Sequence, residues 1–383
     1  MARLRIFLTT SHISSVFMTL HAAATHRSED VDVLLVDGGA RRRAVIEAIR
    51  CTARLHPWAL MHSCSTELVD DHGPEPSLLK RLTRQWKEAP ILRSIYGVLL
   101  RRHTHRRHER DERMLRNLLA PLGTGHTAVE LHLHTQNHLE APLRSLFPEA
   151  RPAFFEHGLG DYHYLLEHGR MRGPFVALFA DRFASFLERQ GQLDQEVRPI
   201  LLPADLHGPM LRLLKELDLP PTPVPPDRRL VLVLLEAVDM YVVPPAFWGA
   251  YIDHVLSALP DPQGHHFLLK PHPAASPASL EATVRRCAEL GLSFTLMTDP
   301  KEMGIAAEVL FAAYADRTDH VFCLFSSACF YLSRLYRSPH ITYHYSTSWM
   351  ERWTGQAPPM YKRHFAALKP LIEQVFAERC VPY

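Results

Sequence analysis

No CxxC pair occurs in this chain, and its six cysteines (Cys51, Cys64, Cys287, Cys323, Cys329 and Cys380) are scattered. That pattern argues against a disulfide framework or a zinc knuckle and fits a reducing cytoplasm. No run of about 18 apolar residues is present, so no membrane-spanning helix is expected. Charge of either sign is nearly balanced: the formal net charge is +2, which removes any global nucleic-acid signal. There is no HExxH and no internal repeat of fixed period. The 25 histidines do include His132-Leu133-His134, which an extended strand would place on one face, and His163 and His168 with Glu167 between them. No convincing set of later carboxylates completes either group, so no bound metal is expected.

What is present is globular: 383 residues, 46% hydrophobic, enough for two cores and hence two domains. The N-terminal stretch MARLRIFLTTSHISSVFMTLHAAA has the outline of a leader peptide. Its apolar run is broken by Thr9, Thr10, Ser11 and His12, however, and reads better as a first strand and loop. With no export signal read, the expected location is cytoplasmic.

Apolar strand-like runs at 4–8, 33–36, 59–62, 127–134 and 151–155 alternate with helical segments at 16–24, 44–55 and 138–146, which points to parallel α/β layers. Residues 79–120 differ, being helical in composition and strongly basic, with Pro90 dividing two helices. A solvated helical face and a surface for a polyanion or for anionic lipid head groups both fit that composition. The segment DLPPTPVPPDRR (218–229), with five prolines, cannot belong to a helix or central strand and reads as a linker. A second α/β unit follows it, with strands at 230–238, 267–270, 293–297 and 321–325. The expected organisation is an N-terminal α/β domain (1–217), the linker (218–229), a second α/β domain (230–345) and a C-terminal helical segment (346–383). Two Rossmann-like domains facing across a cleft, with the last helix packing back on the first domain, describe a GT-B-like fold.

Three strand ends carry polar groups. In FFEHGLGDYHYLLEH (154–168) an apolar run ends in Glu156-His157-Gly158: a carboxylate at a cleft mouth can take a proton from a hydroxyl, while a capped turn would need no such role. In Lys270-Pro271-His272-Pro273 two prolines hold the backbone extended around an imidazole able to hydrogen-bond a phosphate, or the loop is merely rigid. Ser326-Ser327 stands where a strand meets a helix, a junction that suits either an anion site or an ordinary N-cap.

In order and spacing these three resemble the motifs of bacterial GT-B sialyltransferases, nearest the capsule polysialyltransferase and lipooligosaccharide sialyltransferase group. Those families carry an acidic–acidic–Gly motif, an HP motif and a paired Ser/Ser or Ser/Thr motif. The resemblance covers roughly residues 125–335, and the segment IAAEVLFA is similar to the family's nucleotide-contacting helix, with Glu308 as its carboxylate. One position departs from the pattern: His157 stands where relatives carry a second acid.

The resemblance implies an inverting, metal-independent transfer of sialic acid, or a related nonulosonic acid, from a CMP-activated donor to a glycan hydroxyl in capsule or surface-polysaccharide synthesis. It implies Glu156 as general base, His272 as general acid or phosphate ligand, and Ser326, Ser327 and Glu308 on the donor. Lys270 and Pro273 join them in binding the donor, and His157 and Gly158 shape the site. The one DxD, Asp30-Val31-Asp32, precedes a strand and is a poor metal motif, so no cofactor is expected. The basic 79–120 region then suits an anionic glycan or glycolipid acceptor, with peripheral contact to the inner membrane face. Two competing readings stay open: a CDP-glycerol-type phosphotransferase or Kdo transferase, and a non-enzymatic glycan-binding component.

Overall fold

The computed structural model describes residues 2–37, 43–64, 105, 107–122, 125–134, 137–169, 171–192, 194–219, 222–236, 246–273, 275–353 and 359–383. Most of the basic segment, Pro90 included, and Pro220 and Pro221 of the proline-rich segment lie outside the described residues. Of the basic segment's expected helices, residues 107–119 do form one. It buries Leu115 and Leu119 and leaves its arginines at the surface.

The chain builds two parallel sheets. The first contains β1 (Arg3–Thr9), β2 (Val31–Val36), β3 (Leu60–Ser63), β4 (Ala128–Leu133), β5 (Arg151–Phe155), β6 (Phe175–Ala177) and β7 (Val197–Pro199), in the order β3-β2-β1-β4-β5-β6-β7. The second contains β8 (Arg229–Leu235), β9 (His265–Pro271), β10 (Phe294–Leu296), β11 (Thr318–Cys323), β12 (Thr342–Tyr345) and β13 (Cys380–Pro382), in the order β10-β9-β8-β11-β12-β13. Strand β8 shows why its sequence does not alternate. Helices cover both faces of a parallel sheet, so every residue of RLVLVLL after Arg229 is buried.

In each sheet the chain starts near the middle, winds outward one way, then returns and winds the other way. The reversals fall between β1 and β4 and between β8 and β11. In open α/β sheets a crevice forms beyond the carboxyl ends of the strands at such a reversal, and ligands bind there. This is the GT-B-like arrangement expected from the sequence.

One apolar core runs across the seam between the units. Phe17 meets Tyr331 at 5.4 Å between ring centroids, and Phe376 meets Tyr162 at 4.7 Å and Phe179 at 5.0 Å. Phe376 follows the helix Pro359–Leu371, so the C-terminal segment does pack back on the first domain. Arg182 Nη2 adds a bond to the Gln374 carbonyl at 3.0 Å. The chain then returns to the second sheet as β13, parallel to β12. A purely helical ending, expected from the sequence, misses these three residues. Pro382 has no N–H to give and is tolerated because β13 is an edge. No helix among the described residues is long and apolar enough to cross a membrane.

Candidate functional site

The reversal in the second sheet is held by a carboxylate that the sequence reading did not single out. Glu236 follows β8 directly, and its Oε1 accepts three consecutive backbone N–H groups beyond β11: Leu324 at 2.7 Å, and Phe325 and Ser326 each at 2.9 Å. Burial pushes its carboxyl up to about 7 against the pull of those three donors. The bonds fix the turn into the helix Ser327–Leu335, where Ser326 is the N-cap, its Oγ accepting the Ala328 N–H at 3.3 Å. The signal in the sequence was a lone charge closing the run LVLVLL.

Beyond these strand ends lies a cavity of about 470 Å³ between the two domains. Lys270, His272, Pro273, Glu308, Ser326 and Ser327 line it from the second domain, and His157, Ser11 and His12 from the first. Residues more than a hundred positions apart in sequence therefore share one space. Gly158 lies beside it: a methyl group on its Cα would stand 3.7 Å from Ser327 Oγ.

Lys270 is 6% exposed, and Nζ donates to the carbonyls of Pro271 and Met303, each at 3.2 Å. Burial lowers this ammonium to about 8, partly offset by Glu308 and Glu302. Glu308 is buried too and pushed up to about 7 by desolvation, with Lys270 acting in the opposite sense. His272 is exposed at the cavity rim, anchored through its backbone N–H to the Leu235 carbonyl at 2.7 Å.

His12, also not singled out from sequence, joins the domains. Its Nδ1 accepts the Ala306 N–H at 2.9 Å, which leaves Nε2 protonated and donating to Thr52 Oγ1 at 2.9 Å. Burial, with Lys270 nearby, lowers the imidazole to about 3, so it is neutral.

Glu156, expected at the cleft mouth as the general base, is not among the residues that line the cavity. The residue is fully buried. Its oxygens accept the Tyr162 hydroxyl, the Leu178 N–H at 2.5 Å and the Tyr331 hydroxyl at 3.2 Å. Its backbone N–H still pairs with the Val176 carbonyl, so the residue prolongs β5 and its side chain enters the packed layer. Burial raises it to about 7. The next residue turns to the cavity: His157 Nδ1 lies 2.6 Å from Asp161 Oδ2, and the same oxygen accepts the His157 backbone N–H at 2.6 Å.

The other histidine groups have structural surroundings. His132 stacks on Phe7 with ring centroids 4.1 Å apart, and His134 Nδ1 donates to the Phe155 carbonyl at 2.9 Å. His163 and Glu167 are 3.9 Å apart on a helix surface. Among the described residues the group with metal-like spacing is His26, Asp32 and His56. The Arg5 guanidinium already meets that carboxylate, through Nε at 2.6 Å and Nη2 at 2.5 Å, so a cation there would face another cation. Asp30, the other acid of the DxD, pairs with Arg3. A larger cavity, about 850 Å³, opens at the amino ends of β1, β4 and β5. Of its four arginines, Arg3 and Arg5 are committed to Asp30, Glu130 and Asp32, Arg198 pairs with Glu196 and Arg151 stands at the exposed start of β5; the cavity also lies at the wrong end of the strands for a ligand crevice.

No family model matches the chain, and no curated protein matches it in sequence. Among solved structures it is similar to a sialyltransferase from Photobacterium damsela (9% identity, TM-score 0.46, covering 100% of this chain and 81% of that one). It is also similar to a UDP-GlcNAc 2-epimerase from Methanocaldococcus jannaschii (10% identity, TM-score 0.46, covering 99% and 94%). A third is an α,α-trehalose-phosphate synthase (UDP-forming) from Burkholderia vietnamiensis (13% identity, TM-score 0.41, covering 98% and 93%).

Proposed function

We propose that this chain is a glycosyltransferase that moves sialic acid, or a related nonulosonic acid, from a CMP-activated donor to a glycan hydroxyl. The observation that carries the reading is convergence. The HP segment, the serine pair, Glu308 and the segment after β5 are far apart in sequence, and all meet at one interdomain cavity beyond the strand ends. The residue types gathered there, an imidazole, two hydroxyls and a buried ammonium, are the donors a departing phosphate needs.

In this reading the acceptor oxygen attacks the anomeric carbon, the bond from that carbon to the phosphate oxygen breaks, and CMP leaves with the electron pair. Inversion follows from a single displacement. His272 and the Ser326 and Ser327 hydroxyls meet the departing phosphate, Lys270 supplies positive charge behind it, and Glu308 holds the nucleoside. A monophosphate carries less charge than a diphosphate, so these donors suffice for a metal-independent step. The acceptor is an anionic glycan or glycolipid, the setting is capsule or surface-polysaccharide assembly, and the protein works at the inner membrane face.

The test is incubation with CMP-sialic acid, CMP-Kdo and CDP-alditols against an acceptor panel, with and without EDTA, read by mass spectrometry. Sialyl transfer with CMP release, undiminished by EDTA, is expected. Turnover of a CDP-alditol alone would replace this reading by a phosphotransferase. CMP binding without turnover would replace it by a glycan-binding role.

A further inference from the structure

Removal of Glu156 from the cavity leaves the proposed reaction without its base, and resting on that reading we infer that His157, oriented by Asp161, takes the acceptor proton. His157 lines the cavity together with Ser326, Ser327 and His272. Asp161, in the first turn of the helix Leu159–His168, is 1% exposed and holds His157 twice, at its backbone N–H and beside Nδ1.

A carboxylate at Nδ1 selects the tautomer that carries its proton there. Nε2 is then the nitrogen with a lone pair, and the imidazolium formed on proton uptake is stabilised by the carboxylate already beside it. His12, the cavity histidine contributed by the helix after β1, cannot serve, because both of its ring nitrogens are bonded. A Cβ on Gly158, the residue after His157, would stand 3.7 Å from Ser327 Oγ, an ordinary van der Waals contact, so the segment that carries the base abuts the serine pair across the seam.

The step balances simply. The acceptor O–H bond breaks as the new bond to the anomeric carbon forms, the proton goes to His157 Nε2, and the old carbon–oxygen bond leaves its electrons on CMP. His157 returns the proton to solvent. His157 is thus the catalytic residue and Asp161 a positioning residue. Charged or titratable groups near the imidazole include Asp161, in the first turn of the helix that follows His157, and His134 just after β4, whose ring centroid is 5.2 Å away. Lys270, His272, Glu236 and Glu308 line the same cavity from the second domain.

The experiment is steady-state sialyl transfer from pH 5 to 9 by the wild-type chain, His157→Gln, Asp161→Asn and Glu156→Gln, with CMP affinity measured calorimetrically for each. His157→Gln is expected to lose about 100-fold or more in kcat, with CMP affinity and donor KM within threefold and the acid limb of the pH profile gone. Asp161→Asn is expected to lose kcat and to displace that limb, an effect that mere misfolding would not give. The competing base, Glu156, is tested by the same series: Glu156→Gln should lose less than tenfold. A His157→Gln variant retaining a tenth of wild-type kcat overturns the assignment alone. A wild-type chain that releases CMP from none of the donors overturns the underlying reading and this assignment with it.

Discussion

Tyr331 of the second domain donates its hydroxyl to Glu156 of the first at 3.2 Å, deep in the seam where neither is exposed. The helix that begins at Ser327 therefore does two things. Its first turn borders the cavity, and its second turn ties the domains together through a carboxylate that Tyr162 and Leu178 hold in place. Glu156 is raised to about 7 by burial, so the folded protein holds this proton more tightly than the unfolded chain does. Between about pH 4.5 and 7 the native state binds the extra proton, so this group's contribution to stability falls as pH rises and is lost above 7.

Glu156→Gln removes that dependence. Relative to wild type, the variant should gain stability between pH 5 and pH 8, by about 3 kcal/mol at roughly 1.4 kcal/mol per pKa unit. Urea denaturation at the two pH values measures it. A constant difference between the two proteins would show that the buried carboxyl does not titrate there.

Glu236 is raised to about 7 by burial as well, but its three donors are consecutive backbone N–H groups, so its value lies in fixing a turn. Glu236→Ala leaves the Leu324, Phe325 and Ser326 N–H groups without that oxygen and should cost about 3–4 kcal/mol. It should also weaken CMP binding, since the turn that presents the serine pair loosens. Glu236→Gln keeps a carbonyl oxygen for the same donors and avoids burying charge, so its cost should stay under about 1 kcal/mol. Denaturation and calorimetric CMP titration on both variants give the comparison. Equal losses for Ala and Gln would mean that the charge, not the acceptor, holds the turn.

Much of this arrangement was legible in the sequence because its causes are local. Apolar runs such as Leu230–Leu235 announce strands buried on both faces. Strands β12 and β13 were not legible: TYHY and CVP are short, and β12 is held by tertiary neighbours, Phe330 against Tyr345 and Tyr383 against His344, rather than announced by pattern. The orientation of Glu156 was hidden for a related reason. Successive residues of a strand alternate between faces, but here both faces are covered, so alternation could not say whether Glu156 or His157 reaches the cavity. That depended on how far β5 pairs with β6, which is a long-range fact. Glu236 was visible as a charge at a strand end. Its purpose was not visible, since its partners lie about ninety residues further on.

The buried pair of Arg5 and Asp32 offers a test of the first domain. Burial alone would raise the Asp32 carboxyl, but hydrogen bonds from His56 and Arg5 hold it well below the usual range. Arg5→Met leaves a buried carboxylate with two imidazoles and should cost about 3–5 kcal/mol. The same change removes the cation that blocks the His26–Asp32–His56 group. Added zinc should therefore raise the melting temperature of Arg5→Met and leave that of the wild type unmoved. Zinc stabilisation of the wild type would contradict the blocking role given to Arg5.

On the proposed reading, Lys270 sets a pH dependence on nucleotide binding. Its ammonium is lowered to about 8, chiefly by desolvation, so the charge it offers to a phosphate is present below that pH and is lost as pH rises through it. CMP affinity should accordingly fall by about tenfold between pH 7 and pH 9. Lys270→Met should bind CMP more weakly at pH 7 and show little further change at pH 9, because the titrating group is gone. Bound phosphate favours the charged form, so the midpoint seen with CMP should lie somewhat above that of the free protein. Calorimetry at the two pH values on both proteins separates the possibilities. A parallel loss in wild type and variant would assign the pH dependence to another group in the cavity and remove Lys270 from the phosphate site.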